Sequence, residues 1–135
     1  MEVPYYNKLV TISDVLHEAV PRFPRGGAKI ATRLVSEFTG LQEIAGTVRL
    51  SGFPPQAHQW NYDKARGLYV DLSLHQYEDR LAIPTEGKIT VVPANYQALT
   101  PTDSLSHTAE KFLEPHLDVS YLKRLVEHRL AEPRA

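Results

Sequence analysis

The sequence predicts an α+β fold with helices at both ends and antiparallel strands between them. Three observations carry this. Apolar residues fall at helical spacing over residues 28–38 and again over 117–130. They alternate with polar residues over 44–51 and 68–74. The alternating segments also follow one another directly instead of being interleaved with helices, which favours an antiparallel sheet over a βαβ arrangement. A chain of 135 residues, 42% apolar and 23% charged, matches one ordinary folded unit, so residues 1–135 are read as a single domain.

Taken in order, Ser13 and Asp14 are placed to cap a first helix over about residues 13 to 20, which Pro21 and Pro24 around Phe23 bring to an end. Gly26 and Gly27 make a flexible turn into a second helix over 28–39, where Ile30, Ala31, Leu34, Val35 and Phe38 share a face and Gly40 is the stop. Strands are expected at 44–51, 58–63, 68–74 and 88–92, the last being Lys88 to Val92 before Pro93. Two C-terminal helices are expected, at 103–114 with Thr102 or Asp103 as cap, and at 117–131 with Leu117, Tyr121, Leu122, Leu125, Val126 and Leu130 inward. Glu132 to Ala135 should fray.

Composition narrows the function. Fifteen basic against sixteen acidic residues leave a net charge of −1, which provides no field for a phosphate backbone, so nucleic acid is not an expected partner. No stretch approaches the roughly 20 apolar residues of a membrane span, and Met1 to Pro4 lack the pattern of a signal peptide; the expectation is a cytoplasmic protein without a membrane partner. No cysteine is present, which excludes disulfides and thiol chemistry in this chain. Neither phosphate-loop nor dinucleotide-fold nor zinc-protease motifs occur, and no metal or organic cofactor is expected.

The most informative geometry lies in the hairpin. If Asp63 pairs with Leu68 across a four-residue loop, His58 falls opposite Ser73 and Trp60 opposite Asp71, which makes His58 and Asp71 diagonal neighbours on one face. A bulge at Gly67 would shift that register. An imidazole held by a carboxylate forms two members of a nucleophilic triad, and the natural place for the third is a helix N-terminus, where thiolates and oxyanions are favoured. The helix after Gly26 and Gly27 begins with Ala28.

The run Phe23-Pro24-Arg25-Gly26-Gly27-Ala28-Lys29-Ile30-Ala31-Thr32 resembles the F-P-x-G-x-C-x-x-A-[ST] pattern of bacterial proteins in the transglutaminase-like, papain-like superfamily. His58-Gln59-Trp60 resembles their H-x-W, and Asp71 to Tyr77 resembles D-[IL]-[TS]-x-x-Q-[FY]. The resemblance covers residues 23–77 in the order Cys, His, Asp. It implies a cysteine-bearing helix packed on an antiparallel sheet and thiol-dependent acyl transfer on a peptide or protein amide, by hydrolysis, deamidation or transfer to an amine. In that reading Ala28 stands where the cysteine is expected, His58 is the base and Asp71 orients it. Backbone N–H groups around Gly27 and residue 28 stabilise the oxyanion, and Trp60 and Gln76 line the site.

Alanine cannot perform covalent catalysis. The two explanations are an engineered or recent Cys-to-Ala change that leaves an inactive form of the enzyme, and a natural pseudoenzyme that keeps the cleft to bind a peptide or protein partner. The intact set of His58, Asp71, Trp60 and Gln76 favours the first. Thr32 and Ser36 lie one and two turns along the same helix face, away from its electropositive start. Trp60 is expected both to shield the pair from water and to pack the sheet onto the helix that starts at Ala28. Gln76 is read equally as a turn residue and as a group near the pocket. His75 either lines the pocket or solvates a turn, whereas His17, His107, His116 and His128 are expected in surface roles. Arg22, Arg25, Lys29 and Arg33 form a basic cluster beside the site, an ordinary solvated edge or a means of steering an anionic group.

Overall fold

The structure, a computed structural model, describes residues 3–104 and 118–132. Among these residues the order is helix α1 (Tyr6–Ala19), helix α2 (Ala28–Thr39), strands β1 (Gln42–Val48), β2 (Gln56–Asp63) and β3 (Leu68–Asp71), a 3-10 turn (Leu74–Tyr77), strands β4 (Thr90–Pro93) and β5 (Leu99–Ser104), and helix α3 (Val119–Ala131). The five strands form one antiparallel sheet in the order β4-β3-β2-β1-β5. The α+β class therefore holds.

Helix α1 starts well before the expected cap. Leu9, Ile12 and Leu16 form a fully buried stripe, so burial rewards helix from Tyr6 onward, and Ser13 lies inside the helix. Helix α2 keeps its expected limits. Gly27 precedes it, and Gly40, at φ 73°, ends it by donating its N–H to the Ser36 carbonyl.

The hairpin has the register that the four-residue loop requires, with Asp63 opposite Leu68, Tyr62 opposite Tyr69 and Asn61 opposite Val70. Asp63 closes the turn by accepting from the Arg66 backbone N–H at 3.1 Å, and Gly67 takes φ 64° without shifting the ladder. Strand β3 stops at Asp71, earlier than expected. The Asp71 carboxylate captures the Ser73 N–H at 2.8 Å, which removes that donor from any strand ladder and starts the 3-10 turn.

The expected helix at 103–114 is corrected at its start. Thr102 and Asp103 belong to β5, which pairs with β1 along the sheet edge, and residues 105–117 lie outside the described residues. In α3 the Asp118 side chain caps the helix by accepting from the Tyr121 N–H, and Leu122 and Val126 are buried. Tyr121, expected inward, is 51% exposed.

The sheet separates two apolar clusters. On one face Leu68, Val70 and Leu72 pack with α1, α2 and α3, and Asn61 donates to the Thr32 carbonyl of α2 at 3.1 Å. On the other, Ile44, Val48, Trp60 and Tyr69 pack with Leu50, Leu74, Leu81, Ala98 and Leu99. Trp60 therefore does not join the sheet to α2. Strand alternation sends its ring to the opposite face, where it lies over Gly46.

Candidate active site

Strand β2 presents His58 and Trp60 on one face, and the end of β3 presents Asp71 beside them. The His58 Nε2 donates to the Asp71 Oδ2 at 2.7 Å, and both side chains are 1% exposed. The second carboxylate oxygen, Oδ1, accepts from the Ser73 N–H at 2.8 Å and from the Ser73 hydroxyl at 3.2 Å. Each oxygen thus has its own donors, and the carboxylate plane is fixed from both sides.

Because the carboxylate can only accept, the neutral His58 carries its hydrogen on Nε2 and its lone pair on Nδ1. That Nδ1 is buried with no hydrogen-bond partner among the described residues. Two aromatic rings lie against the imidazole. It stacks on Trp60 with centroids 6.1 Å apart at 24°, and the Tyr77 ring meets it edge-on at 5.5 Å and 81°. A proton taken up at Nδ1 would place positive charge against Asp71 and over the Trp60 face. Burial, and then the Asp71 carboxylate, raise the hydroxyl pKa of both Tyr77 and Tyr96, so both phenols stay protonated beside that charge.

Ala28 is the first residue of α2 and half-buried. Its N–H has no carbonyl ahead of it within the helix, where the first bond runs from Ala31 N–H to the Gly27 carbonyl. The Gly27 N–H, in contrast, donates to the Pro24 carbonyl at 3.0 Å, so it is not free for the oxyanion role expected of it. Gly27 is required by packing. A Cβ there would lie 2.4 Å from Cδ2 of Phe23. The Phe23 ring in turn sits 6.2 Å from that of His75 in the 3-10 turn, so the start of α2 connects to the segment after Asp71 through Phe23 and His75.

Gln76 is engaged by its own turn, its Nε2 donating to the Ser73 carbonyl at 3.1 Å. Of the basic cluster, Arg33 pairs with Glu37 and Glu43, while Arg22, Arg25 and Lys29 are exposed. His17, expected on the surface, is half-buried against His75, with their Nε2 atoms 3.0 Å apart. Ser73 and Tyr77 were not singled out by sequence reasoning. The Asp-x-Ser spacing is a readable turn signal for the first, and the second needed the chain to fold back after β3.

No three His, Asp or Glu side chains among the described residues are grouped to hold a metal ion, and none of the described helices is long and apolar enough to cross a membrane. An open groove of about 420 Å³, lined by Gln42, Ile44, Tyr62, Tyr69, Ala94 and Pro101, touches none of Ala28, His58 and Asp71. Comparison of the chain with protein-family models, with curated proteins and with solved structures finds no match.

Proposed function

We propose that this chain is the nucleophile-lacking form of a thiol-dependent acyl-transfer enzyme of the transglutaminase-like, papain-like type, acting on a peptide or protein amide through a Cys-His-Asp triad with Ala28 at the nucleophile position. The observation that carries the reading is His58. Its Nε2 is tied to a doubly clamped buried carboxylate, and its Nδ1 has no partner among the described residues. His58 shares the Trp60 face of β2 while α2 packs on the other face, so the reading requires the first turn of α2 to reach Nδ1 around the end of β2. With cysteine at position 28, Nδ1 then takes the thiol proton and the thiolate attacks the amide carbon. The oxyanion is met by the N–H at the start of α2, and His58 returns its proton to the leaving amine. Water then resolves the acyl-enzyme in a hydrolase, and an amine resolves it in a transferase.

The methyl group of Ala28 favours a second reading, a pseudoenzyme that holds a peptide or protein partner in the remnant cleft. The Ala28→Cys variant separates the two. Alkylation by iodoacetamide across pH 5–9 is expected to be fast below neutrality and to slow to the rate of a free thiol in Ala28→Cys/His58→Ala. A sluggish thiol indifferent to His58 rejects the triad and leaves the binding module.

A further inference from the structure

We propose that His17 and His75 form an acid-opened latch, which pins the 3-10 turn to α1 and holds the loop ahead of Ala28 in place. The latch is independent of the acyl-transfer reading. His17 lies in the last turns of α1, and its Nδ1 is 2.8 Å from the Ser13 carbonyl. A carbonyl only accepts, so Nδ1 carries the hydrogen and the neutral ring presents a lone pair at Nε2. The Nε2 of His75 lies 3.0 Å from that lone pair and supplies the hydrogen between them, which leaves His75 Nδ1 as a buried acceptor without a partner among the described residues. The rings stack at 5.1 Å and 29°, and Phe23 packs edge-on against His17 at 4.8 Å.

One proton on the pair still leaves a donor facing an acceptor. Two protons leave N–H facing N–H at this separation, so the bond is lost and like charges meet. The groups that act on His75 come from three directions. Burial, and then His17 from α1, hold its imidazolium down at about 4; Asp71 at the end of β3 opposes them, and Lys88 ahead of β4 adds to them. The pair is therefore closed at neutral pH and opens in acid. The element released first is Phe23, whose ring also covers Gly27 at the start of α2.

The test is an NMR titration of the full chain from pH 7 to 3.5, following the imidazole rings and the Phe23 ring. In the unaltered chain Phe23 is expected to shift in one step together with His75. In His75→Gln an amide N–H donates to His17 without titrating, and in His17→Gln an amide oxygen accepts from His75 in either charge state. Both variants should lose the Phe23 step. If Phe23 stays in place while His75 titrates, or if the step persists in either folded variant, the latch is wrong.

Discussion

The Nε2 of His58 and the Oδ2 of Asp71 are joined by a 2.7 Å hydrogen bond in a site that excludes water, while Ser73 occupies the other carboxylate oxygen. A buried imidazole without that acceptor would face its desolvation cost alone. The pair is thus a structural element that also leaves a basic ring nitrogen without a partner among the described residues.

Asp71→Ala should therefore be among the most damaging single substitutions. It strands the His58 N–H and two Ser73 donors in a dry site, and about 3–5 kcal/mol of stability should be lost. Urea unfolding reads this directly. A loss below about 1 kcal/mol would show that the pair is not sequestered as described.

The same carboxylate should govern thiol reactivity. In the Ala28→Cys background, Asp71→Asn is expected to slow iodoacetamide alkylation at pH 6 by roughly tenfold or more, because an imidazolium that holds the thiolate loses its counter-charge. Equal rates in the two proteins would remove Asp71 from the proposed triad.

Gly46→Ala tests the second apolar cluster. A Cβ there would lie 2.2 Å from the Thr100 carbonyl oxygen and 2.5 Å from Cη2 of Trp60, and backbone cannot yield as a flexible side chain does. The variant should lose about 1–3 kcal/mol by overpacking. Its single tryptophan should also change emission, since Trp60 is the group displaced. A variant as stable as the parent would mean that β1 and β5 approach less closely.

Tyr5→Phe tests how α1 is anchored to the hairpin turn. The Tyr5 hydroxyl donates to Asp63 Oδ2 at 2.6 Å, and Arg66 bonds the same carboxylate at 3.1 Å. Burial raises the Asp63 pKa, but the bonds from Tyr5 and Arg66 outweigh it and hold the carboxyl below its ordinary value. Removing the hydroxyl should cost about 1–2 kcal/mol at neutral pH. A depressed carboxyl contributes stability that is lost as pH falls through its folded pKa, so the deficit should shrink in acid. Parallel melting curves at pH 7 and pH 3 check the sign.

The burial of His75 sets a second pH dependence of opposite origin. Its folded pKa, about 4, lies below the ordinary value of 6.5, so between these pH values the unfolded chain binds the proton and the folded one does not. Stability from this residue is complete above pH 6.5 and should fall as pH drops toward 4. Melting temperatures of the chain and of His75→Gln should differ in slope over that window. Identical slopes would show that His75 titrates freely.

Much of this was legible in the chain because the signals were local. Gly27 and Gly40 bracket five apolar residues at helical spacing, and those three facts are enough to set the limits of α2. The four-residue loop from Lys64 to Gly67 sets the register of β2 on β3, and a period of two then brings His58 to Asp71. Where local signals conflicted with burial, they failed. Ser13 looks like a cap yet lies within α1, because Leu9 and Ile12 extend the buried stripe ahead of it. Thr102 and Asp103 read as the cap of a helix over 103–114; they lie in a strand because β1 offers β5 an unpaired edge.

The sequence by itself determined the α+β class, the limits of α2, the hairpin register and the meeting of His58 with Asp71, since each follows from spacing within a few turns or one loop. Only the tertiary structure decided that Trp60 faces away from α2 and that His17 closes on His75. The physical reason is separation. Spacing tells which face of an element a side chain occupies, but what that face meets depends on how sheet and helices pack, and His17 and His75 lie 58 positions apart with no pattern joining them.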